Sequence, residues 1–237
     1  MNSAFNPTLP IDKSMALYWS GTPGCSRSIA ICHAADLAEV PILLLCETNE
    51  NVDQSIRELS YFSRAFENLP VFSLPDWETL PYDNFSPHQD ITSERLNSLF
   101  HLPKLRRGIL VLSISSLMHR LPPREYIDSI SLDLRVGQHL KISQIKEELV
   151  YAGYKLVDSV FEHGEFAVRG SILDIYPMGS PLPYRIDLFD NEIESLRTFD
   201  PESQRSISKV REIKLLPARE YPLDDSGIKT FRANFHE

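Results

Sequence analysis

The stretch Glu165-Phe-Ala-Val-Arg-Gly-Ser-Ile-Leu-Asp-Ile-Tyr176 decides the fold of the C-terminal half of this sequence. Apolar and polar side chains alternate along much of it, as they do in a strand that buries one face. Similar short segments stand at 156–161, 184–189, 192–199 and 212–216, with turn-forming Gly, Pro, Asp and Asn residues between them. Short strands separated by such turns indicate an antiparallel sheet.

One helix is predicted with this sheet. Residues 141–152 form that helix, and Ser143 is expected to cap its N-terminus. The C-terminal half therefore predicts a small α+β domain over residues 131–217. A further helix is predicted to begin near Asp225, and residues 218–237 are expected to be the incomplete start of another domain. This suggests that the sequence is a piece of a longer protein.

The N-terminal half, residues 1–130, differs in texture, because apolar strand-like runs alternate with helical stretches. The strand candidates are Pro41–Cys46, Val71–Leu74 and Gly108–Leu112, and the helix candidates are Ser28–Val40, Val52–Phe66 and Thr92–Leu102. The repeated order of strand, helix and strand indicates a parallel sheet with helices on its faces. This half is therefore predicted to be an α/β domain.

A Gly/Pro-rich turn, Gly21-Thr-Pro-Gly-Cys-Ser-Arg-Ser28, lies between an apolar segment and the first predicted helix, where a phosphate-binding P-loop would lie. The working pattern is G-x-x-x-x-G-K-[ST]. Gly21 and Ser28 fit it, with Gly24 between them, but Ser26 replaces the second glycine and Arg27 replaces the lysine. The Cβ of serine limits the loop conformation, and arginine does not substitute conservatively for lysine. Nucleotide hydrolysis is therefore not expected here, and a turn unrelated to nucleotides is the alternative.

Composition narrows the classes of function. Lys and Arg number 24 against 33 Asp and Glu, so the formal net charge is −9, which disfavours a nucleic-acid-binding surface without excluding it. The three cysteines, Cys25, Cys32 and Cys46, have neither paired nor zinc-site spacing, which favours reduced thiols. No apolar run approaches a membrane span, so the sequence predicts a soluble cytoplasmic protein without a membrane partner.

The segment 76–90 combines carboxylates with aromatic side chains. An active-site loop could have this composition, but no nucleophile and base stand out within it. The favoured interpretation is a surface loop whose aromatic residues, Trp77, Tyr82 and Phe85, pack inward.

Two arginines and a phenylalanine of the C-terminal half are candidate binding residues. Arg169, Arg185 and Phe189 share one face of a sheet if their strands pair suitably. Arg and aromatic side chains on an exposed patch are frequent in protein-binding hot spots. From the pattern alone, an ordinary strand face with interspersed ion pairs is the alternative.

Three long strings, Leu74–Asp90, Glu162–Ser180 and Leu182–Ile193, resemble the N-terminal region of bacterial transcription-repair coupling factors. With the segments around them, the resemblance covers nearly the whole sequence. That region is similar in turn to UvrB of nucleotide excision repair. The resemblance implies a helicase-like α/β domain 1a, a small inserted domain 2 and the start of a domain 1b, and the boundaries near 131 and 217 fit that order.

The resemblance implies that the second domain docks onto UvrA and recruits it to DNA where RNA polymerase has stalled at a lesion. In the family this contact uses two arginines and an aromatic residue that match Arg169, Arg185 and Phe189. Two features of UvrB are missing: the intact P-loop, and the hairpin that clamps damaged DNA, because Asp90-Ile-Thr-Ser runs straight into a helix. No catalytic residue, metal ligand or cofactor is therefore expected in this sequence.

In longer family members, C-terminal translocase domains use ATP and Mg²⁺ to push polymerase off DNA. The resemblance implies that contacts with RNA polymerase and DNA belong to those domains, and that the C-terminal region masks the UvrA surface until polymerase is engaged. Two rival functions stay open. A nucleotide-hydrolysing helicase domain requires ATP turnover despite Ser26 and Arg27, and a DNA-binding module requires salt-dependent affinity for DNA.

Overall fold

A computed structural model describes residues 4–12, 14–38, 40–67, 69–79 and 83–234. The helices are α1 (Ser26–Leu37), α2 (Asn49–Phe62), α3 (Gln89–His101), α4 (Ile114–Met118), α5 (Arg124–Ile130), α6 (Ile142–Tyr151) and α7 (Asp225–Asn234). The strands are β1 (Ile42–Cys46), β2 (Val71–Leu74), β3 (Ile109–Ser113), β4 (Leu132–Arg135), β5 (Lys155–Leu156), β6 (Glu165–Arg169), β7 (Ile172–Ile175), β8 (Tyr184–Phe189), β9 (Glu192–Phe199), β10 (Ser206–Val210) and β11 (Glu212–Leu215). Within the described ranges, no helix is both long and apolar enough to cross a membrane.

The chain forms two compact units. The first contains Met1–Asp76 and His101–His119, and the second contains Trp77–Phe100 and Arg120–Glu237. The sequence prediction instead placed boundaries at 131 and 217. Residues 77–100 and 120–130 belong to the second compact unit because α3 and α5 contribute apolar side chains to its core. The two units are defined by compactness in space, whereas the predicted domains follow sequence pattern and family resemblance. The predicted domains 1–130, 131–217 and 218–237 therefore stay a prediction.

In the first unit, three parallel strands form a sheet in the order β1-β3-β2. Leu44 of β1 and Ser73 of β2 both lie opposite Val111 of β3, so β3 is the central strand. Every residue of β3 is buried, as is typical of a central parallel strand. The parallel sheet predicted for this half of the chain is confirmed.

Helices α1 and α2 pack together with this sheet. Cys32 of α1 and Leu59 of α2, neither of them exposed, share one apolar cluster with Val111. Burial of the Leu59 and Val111 side chains contributes about 1.5–3 kcal/mol each. Helix α1 begins at Ser26, so the Gly/Pro turn leads into a helix as predicted, while residues 15–20 before it form neither helix nor strand.

In the second unit, six strands form a sheet in the order β10-β9-β8-β7-β6-β5. Neighbouring strands are antiparallel except β5 and β6, which are parallel. Strands β4 and β11 form a separate antiparallel pair in which Leu134 lies opposite Ile213. The antiparallel sheet predicted for the C-terminal half is confirmed.

One face of the six-stranded sheet carries the core of the second unit. Phe166, Leu173, Ile186 and Leu196 come from four neighbouring strands, and each is at most 1% exposed. They form one cluster with Leu149 of α6. Since side chains alternate along each strand, their sequence neighbours project from the opposite face.

The stretch 165–176 contains two strands, although it was predicted as a single alternating segment. Arg169, the last residue of β6, lies opposite Ile172 of β7, so Gly170 and Ser171 form a two-residue hairpin loop. The φ angle of Gly170 is +63°, a left-handed conformation that glycine adopts without steric penalty.

Three elements escaped the sequence patterns: β10 and the short helices α4 and α5. Strand β10 is at the edge of its sheet and exposed along most of its length, so no alternation marks it. The predicted cap at Ser143 is wrong, because α6 begins at Ile142 with Lys141 as its N-cap. The chain is fixed just before that point, where buried Leu140 donates its N–H to the carbonyl oxygen of Asn191 at 2.7 Å.

Candidate functional site

The outer face of the six-stranded sheet, opposite the core, carries the candidate binding residues. One register row across β6 to β9 holds Ala167, Asp174, Arg185 and Arg197, and the next row holds Arg169, Ile172, Asp187 and Ser195. These two rows, together with Phe189 at the end of β8, define the outer face. Arginines and aspartates are thus cross-strand neighbours on it, a placement that favours ion pairs.

Asp174 is the most deeply buried charged group of the outer face, with a side chain only 1% exposed. Arg185, from β8, donates from Nε to Oδ1 at 2.7 Å and from Nη2 to Oδ2 at 2.9 Å. Arg169, from β6, also donates an Nη2 N–H to Oδ2. A buried carboxylate is strongly unfavourable unless it is paired and hydrogen-bonded, and here two guanidinium groups engage both of its oxygens.

The two arginines are held to different degrees. Arg185 is 18% exposed, donates Nη1 to the carbonyl oxygen of Gln204 at 3.2 Å, and lies over the ring of Phe199 at 4.9 Å. Its hydrogen bonds to Asp174 raise the pKa of the Arg185 guanidinium above its ordinary value, so the group stays charged. Arg169 is 49% exposed, and its contact with Asp174 is the one hydrogen bond that its side chain makes to the described residues. Its other N–H donors can therefore serve a partner.

Phe189 supplies the apolar part of the outer face. Its side chain is 70% exposed at the end of β8. It lies opposite Glu192 across the turn Asp190-Asn191, in which Asp190 has a φ angle of +56°. An exposed aromatic ring beside a tight turn presents a large contact area, and its two side-chain torsions lose little conformational freedom on binding.

A second ion pair lies on the same face. Arg197 donates from Nη2 to Oδ2 of Asp187 at 2.7 Å, and the hydroxyl of Ser195 donates to the same oxygen at 2.6 Å. The side chains of Asp187 and Arg197 are 18% and 38% exposed. This pair was not predicted from the sequence, although polar residues along β8 and β9 were the available signal.

The structure brings Arg169, Arg185 and Phe189 to one face, as the sequence analysis expected under suitable strand pairing. The ion pairs of the alternative interpretation are present as well. Both interpretations describe the same surface, since a paired arginine can still use its remaining donors. The binding role of these three residues stays a prediction.

The Gly/Pro turn before α1 is closed by its own hydrogen bonds. Gly21 and Gly24 have φ angles of +70° and +54°. Ser26 donates both its N–H and its hydroxyl to the carbonyl oxygen of Pro23, at 3.2 and 2.7 Å. In a working P-loop the backbone N–H groups point toward phosphate. Here the N–H of Ser26 already forms a hydrogen bond within the turn.

Ser28, the hydroxyl residue of the degenerate P-loop pattern, is 1% exposed and donates to Oε2 of Glu58 in α2 at 2.5 Å. This hydrogen bond, followed by one from Gln54, lowers the pKa of the Glu58 carboxyl group. In a working P-loop the same hydroxyl binds Mg²⁺. Here the Glu58 carboxylate accepts the hydrogen bond of this hydroxyl, and Arg27 is exposed near that carboxylate.

The cysteines are all free thiols. Cys25 is exposed, whereas Cys32 and Cys46 are buried. Burial raises the pKa of the Cys32 thiol to about 11, which keeps it protonated and unreactive at neutral pH. In the part of the chain that the structure describes, no group of three or more His, Cys, Asp or Glu side chains could hold a metal ion.

The aromatic segment 76–90 is anchored by a buried ion pair in the second unit. Trp77 donates its indole N–H to Oε2 of Glu220 at 2.9 Å, and fully buried Arg95 donates to both carboxylate oxygens of Glu220, at 2.9 and 2.7 Å. Inward packing is therefore confirmed for Trp77. It is wrong for Phe85, which is 80% exposed at a bend in the chain, and Tyr82 lies outside the described residues.

Comparisons with known proteins identify similar sequences for this chain. A family model described as the UvrB interaction domain matches residues 132–221. The chain is 40% identical over 237 residues to the transcription-repair-coupling factor of Escherichia coli K12. This match covers 100% of the chain and 20% of that protein. It is 48% identical over 200 residues to the Haemophilus influenzae protein of the same name, covering 81% of the chain and 18% of that protein. With the Bacillus subtilis protein of that name it shares 31% identity over 201 residues, covering 85% of the chain and 17% of that protein.

Proposed function

The chain belongs to the transcription-repair-coupling factor family, and we propose that it is the UvrA-docking module of that family. It spans about 20% of the length of the relatives that it matches. The observation that carries the proposal is the outer face, where two arginines share one buried aspartate and an exposed phenylalanine lies at the end of β8. The match to the UvrB interaction domain spans all the strands that build this face.

The outer face has the chemistry of a protein-binding hot spot. Arginine and aromatic side chains dominate such sites because they combine directional hydrogen bonds with a large apolar area. Arg169 and Phe189 offer exposed donors and an exposed ring on a hydrogen-bonded sheet. Since the sheet fixes the backbone of both residues before binding, association orders only their side chains. The complementary surface on the partner carries carboxylates opposite the arginines and an apolar pocket for the ring.

The first unit is proposed to be a helicase-like domain 1a that no longer hydrolyses ATP. Two arguments support this. Ser26 and Arg27 replace the glycine and lysine of a working P-loop. In addition, the Ser28 hydroxyl donates a hydrogen bond to the Glu58 carboxylate. In a working P-loop the oxygen of that hydroxyl binds the nucleotide's Mg²⁺ instead. The module would then need no cofactor of its own.

For the longer protein we propose the activity that its family name describes. The remaining domains would recognise RNA polymerase stalled at a DNA lesion and release it with ATP and Mg²⁺ in a C-terminal translocase. The module described here would recruit UvrA to the same place in the cytoplasm. A C-terminal region that covers the outer face before polymerase is engaged would prevent premature recruitment.

Calorimetric titration of the chain into purified UvrA, with and without ATP, tests the docking function. Saturable binding is expected for the parent chain. Arg169→Ala should weaken it at least about tenfold, which corresponds to about 1.4 kcal/mol. The matched control is Arg135→Ala, because Arg135 is 67% exposed but lies in the separate β4–β11 pair. A folded parent chain that fails to bind UvrA in either condition would refute the proposal, as would equal weakening by the two variants.

A further inference from the structure

We propose that Asp174 is a positioning residue for partner binding, because its buried carboxylate holds the two arginines of the outer face in their binding geometry. This inference rests on the proposed docking function. Asp174 contributes almost no surface of its own, with a side chain 1% exposed, so it acts through its neighbours and not by direct contact.

Strand order gives Asp174 this role. Strand β7 lies between β6 and β8, and Asp174 is opposite Ala167 on one side and Arg185 on the other. Its carboxylate therefore receives Arg185 from the adjacent register position and Arg169 from the next position along β6. One side chain thus fixes two cationic groups that come from strands on opposite sides of it.

Stability alone is a weak reason for this arrangement. Apolar side chains of similar volume often replace a buried ion pair without loss of stability, and sometimes with a gain. The carboxylate does something that an apolar residue cannot do. It removes the rotamer freedom of two long side chains before the partner arrives, and such freedom otherwise opposes binding. Arg169 keeps its exposed donors, while Arg185 is locked between Asp174, Gln204 and the ring of Phe199.

The positioning role predicts that loss of the Asp174 carboxylate leaves the association rate constant unchanged or higher and raises the dissociation rate constant. Replacing Asp174 by Asn removes one negative charge from a face that meets an acidic partner surface, so long-range attraction is kept or strengthened. The released arginines must then be ordered within the complex, which weakens it and speeds dissociation. A purely structural role would lower the amount of active protein without changing the dissociation rate of what remains.

The test compares Asp174→Asn with Asp133→Asn by surface plasmon resonance on immobilised UvrA. Asp133→Asn is the charge-matched control, because Asp133 also forms an ion pair, with Lys214, but lies in the separate β4–β11 pair outside the outer face. Both variants are expected to associate as fast as the parent or faster. Asp174→Asn alone should dissociate about tenfold faster, from the freedom of two arginine side chains. Equal dissociation rates for the two variants, with the parent binding normally, would overturn the positioning role and leave the docking function intact. No binding by the parent would overturn both.

Circular dichroism and thermal unfolding of each variant separate positioning from folding. If Asp174→Asn does not fold, Asp174→Glu provides the second comparison, since it keeps the charge but moves the carboxylate by one methylene. Faster dissociation of folded Asp174→Glu at an unchanged association rate would support the proposal. Parent-like dissociation of that variant would refute it.

Discussion

The ion pairs around Asp174 predict very different stabilities for two arginine variants that look equivalent in the sequence. Arg185→Ala removes two charge-assisted hydrogen bonds from a carboxylate that is 1% exposed, together with the bond to Gln204 and the contact with Phe199. Arg169→Ala removes one hydrogen bond made by a side chain that is half exposed, and Asp174 keeps its bidentate partner.

The magnitudes follow from burial. Charge-assisted hydrogen bonds contribute about 1.5–3 kcal/mol each, and breaking a buried ion pair typically destabilises a protein by about 3–5 kcal/mol. Because Arg169 still neutralises part of the charge, Arg185→Ala should lower the free energy of unfolding of the second unit by about 2–4 kcal/mol. Arg169→Ala should lower it by at most about 1 kcal/mol, as for other exposed ion pairs.

Urea unfolding followed by tryptophan fluorescence measures this difference. Trp77 belongs to the second unit and Trp19 to the first, so a Trp19→Phe background makes the signal report on the second unit alone. Equal destabilisation by the two arginine variants would refute the assigned asymmetry. The expected outcome would also make Arg169→Ala the cleaner variant for binding studies, since a loss of binding by Arg185→Ala would include partial unfolding.

Three further predictions concern other parts of the chain. Arg95→Leu should destabilise the second unit by about 3–5 kcal/mol, measured by urea unfolding, because it leaves the Glu220 carboxylate buried without its cationic partner; a change below about 1 kcal/mol would contradict this role. The double variant Ser26→Gly/Arg27→Lys should gain no ATP turnover in a phosphate-release assay, since the hydroxyl two positions after Ser26 still donates to a carboxylate of α2, and measurable turnover would show that the two substitutions alone silence the site. A thiol reagent at neutral pH should modify Cys25 rapidly and the two buried cysteines only after unfolding, and rapid modification of a second thiol in the native protein would contradict the assigned burial.

The sequence was sufficient to predict the sheets because their signals are local. Strand β8 of the second unit alternates apolar and polar residues from Tyr184 to Leu188, and β3 of the first unit contains the apolar run Ile109–Leu112. Strand β10 lacks that signal because an exposed edge strand buries neither face regularly. The hairpin between β6 and β7 was missed for a different reason, since Gly170 and Ser171 form a loop of only two residues.

The candidate site was only half predictable. Residue type and resemblance singled out Arg169, Arg185 and Phe189, but the group that organises them did not stand out. Asp174 is a single polar residue in an apolar strand, and its partners lie 5 and 11 residues away on neighbouring strands. Their meeting depends on the cross-strand register, which sequence alternation does not determine.

The same limit applies to the other buried polar contacts. Arg95 and Glu220 are 125 residues apart, and no local pattern joins them. The degenerate P-loop could be recognised from Ser26 and Arg27, because a motif is a local feature. The carboxylate that engages Ser28 could not, since it belongs to a different helix 30 residues along the chain.

Site-specific photo-crosslinking to UvrA tests the central claim most directly. A p-benzoylphenylalanine group would replace Phe189, which is 70% exposed on the outer face, or Phe231, which is 59% exposed on α7 of the same unit. Docking through the outer face predicts a covalent adduct with UvrA from position 189 and none above background from position 231. An adduct from position 231 alone, or equal adducts from both positions, would contradict docking through the outer face.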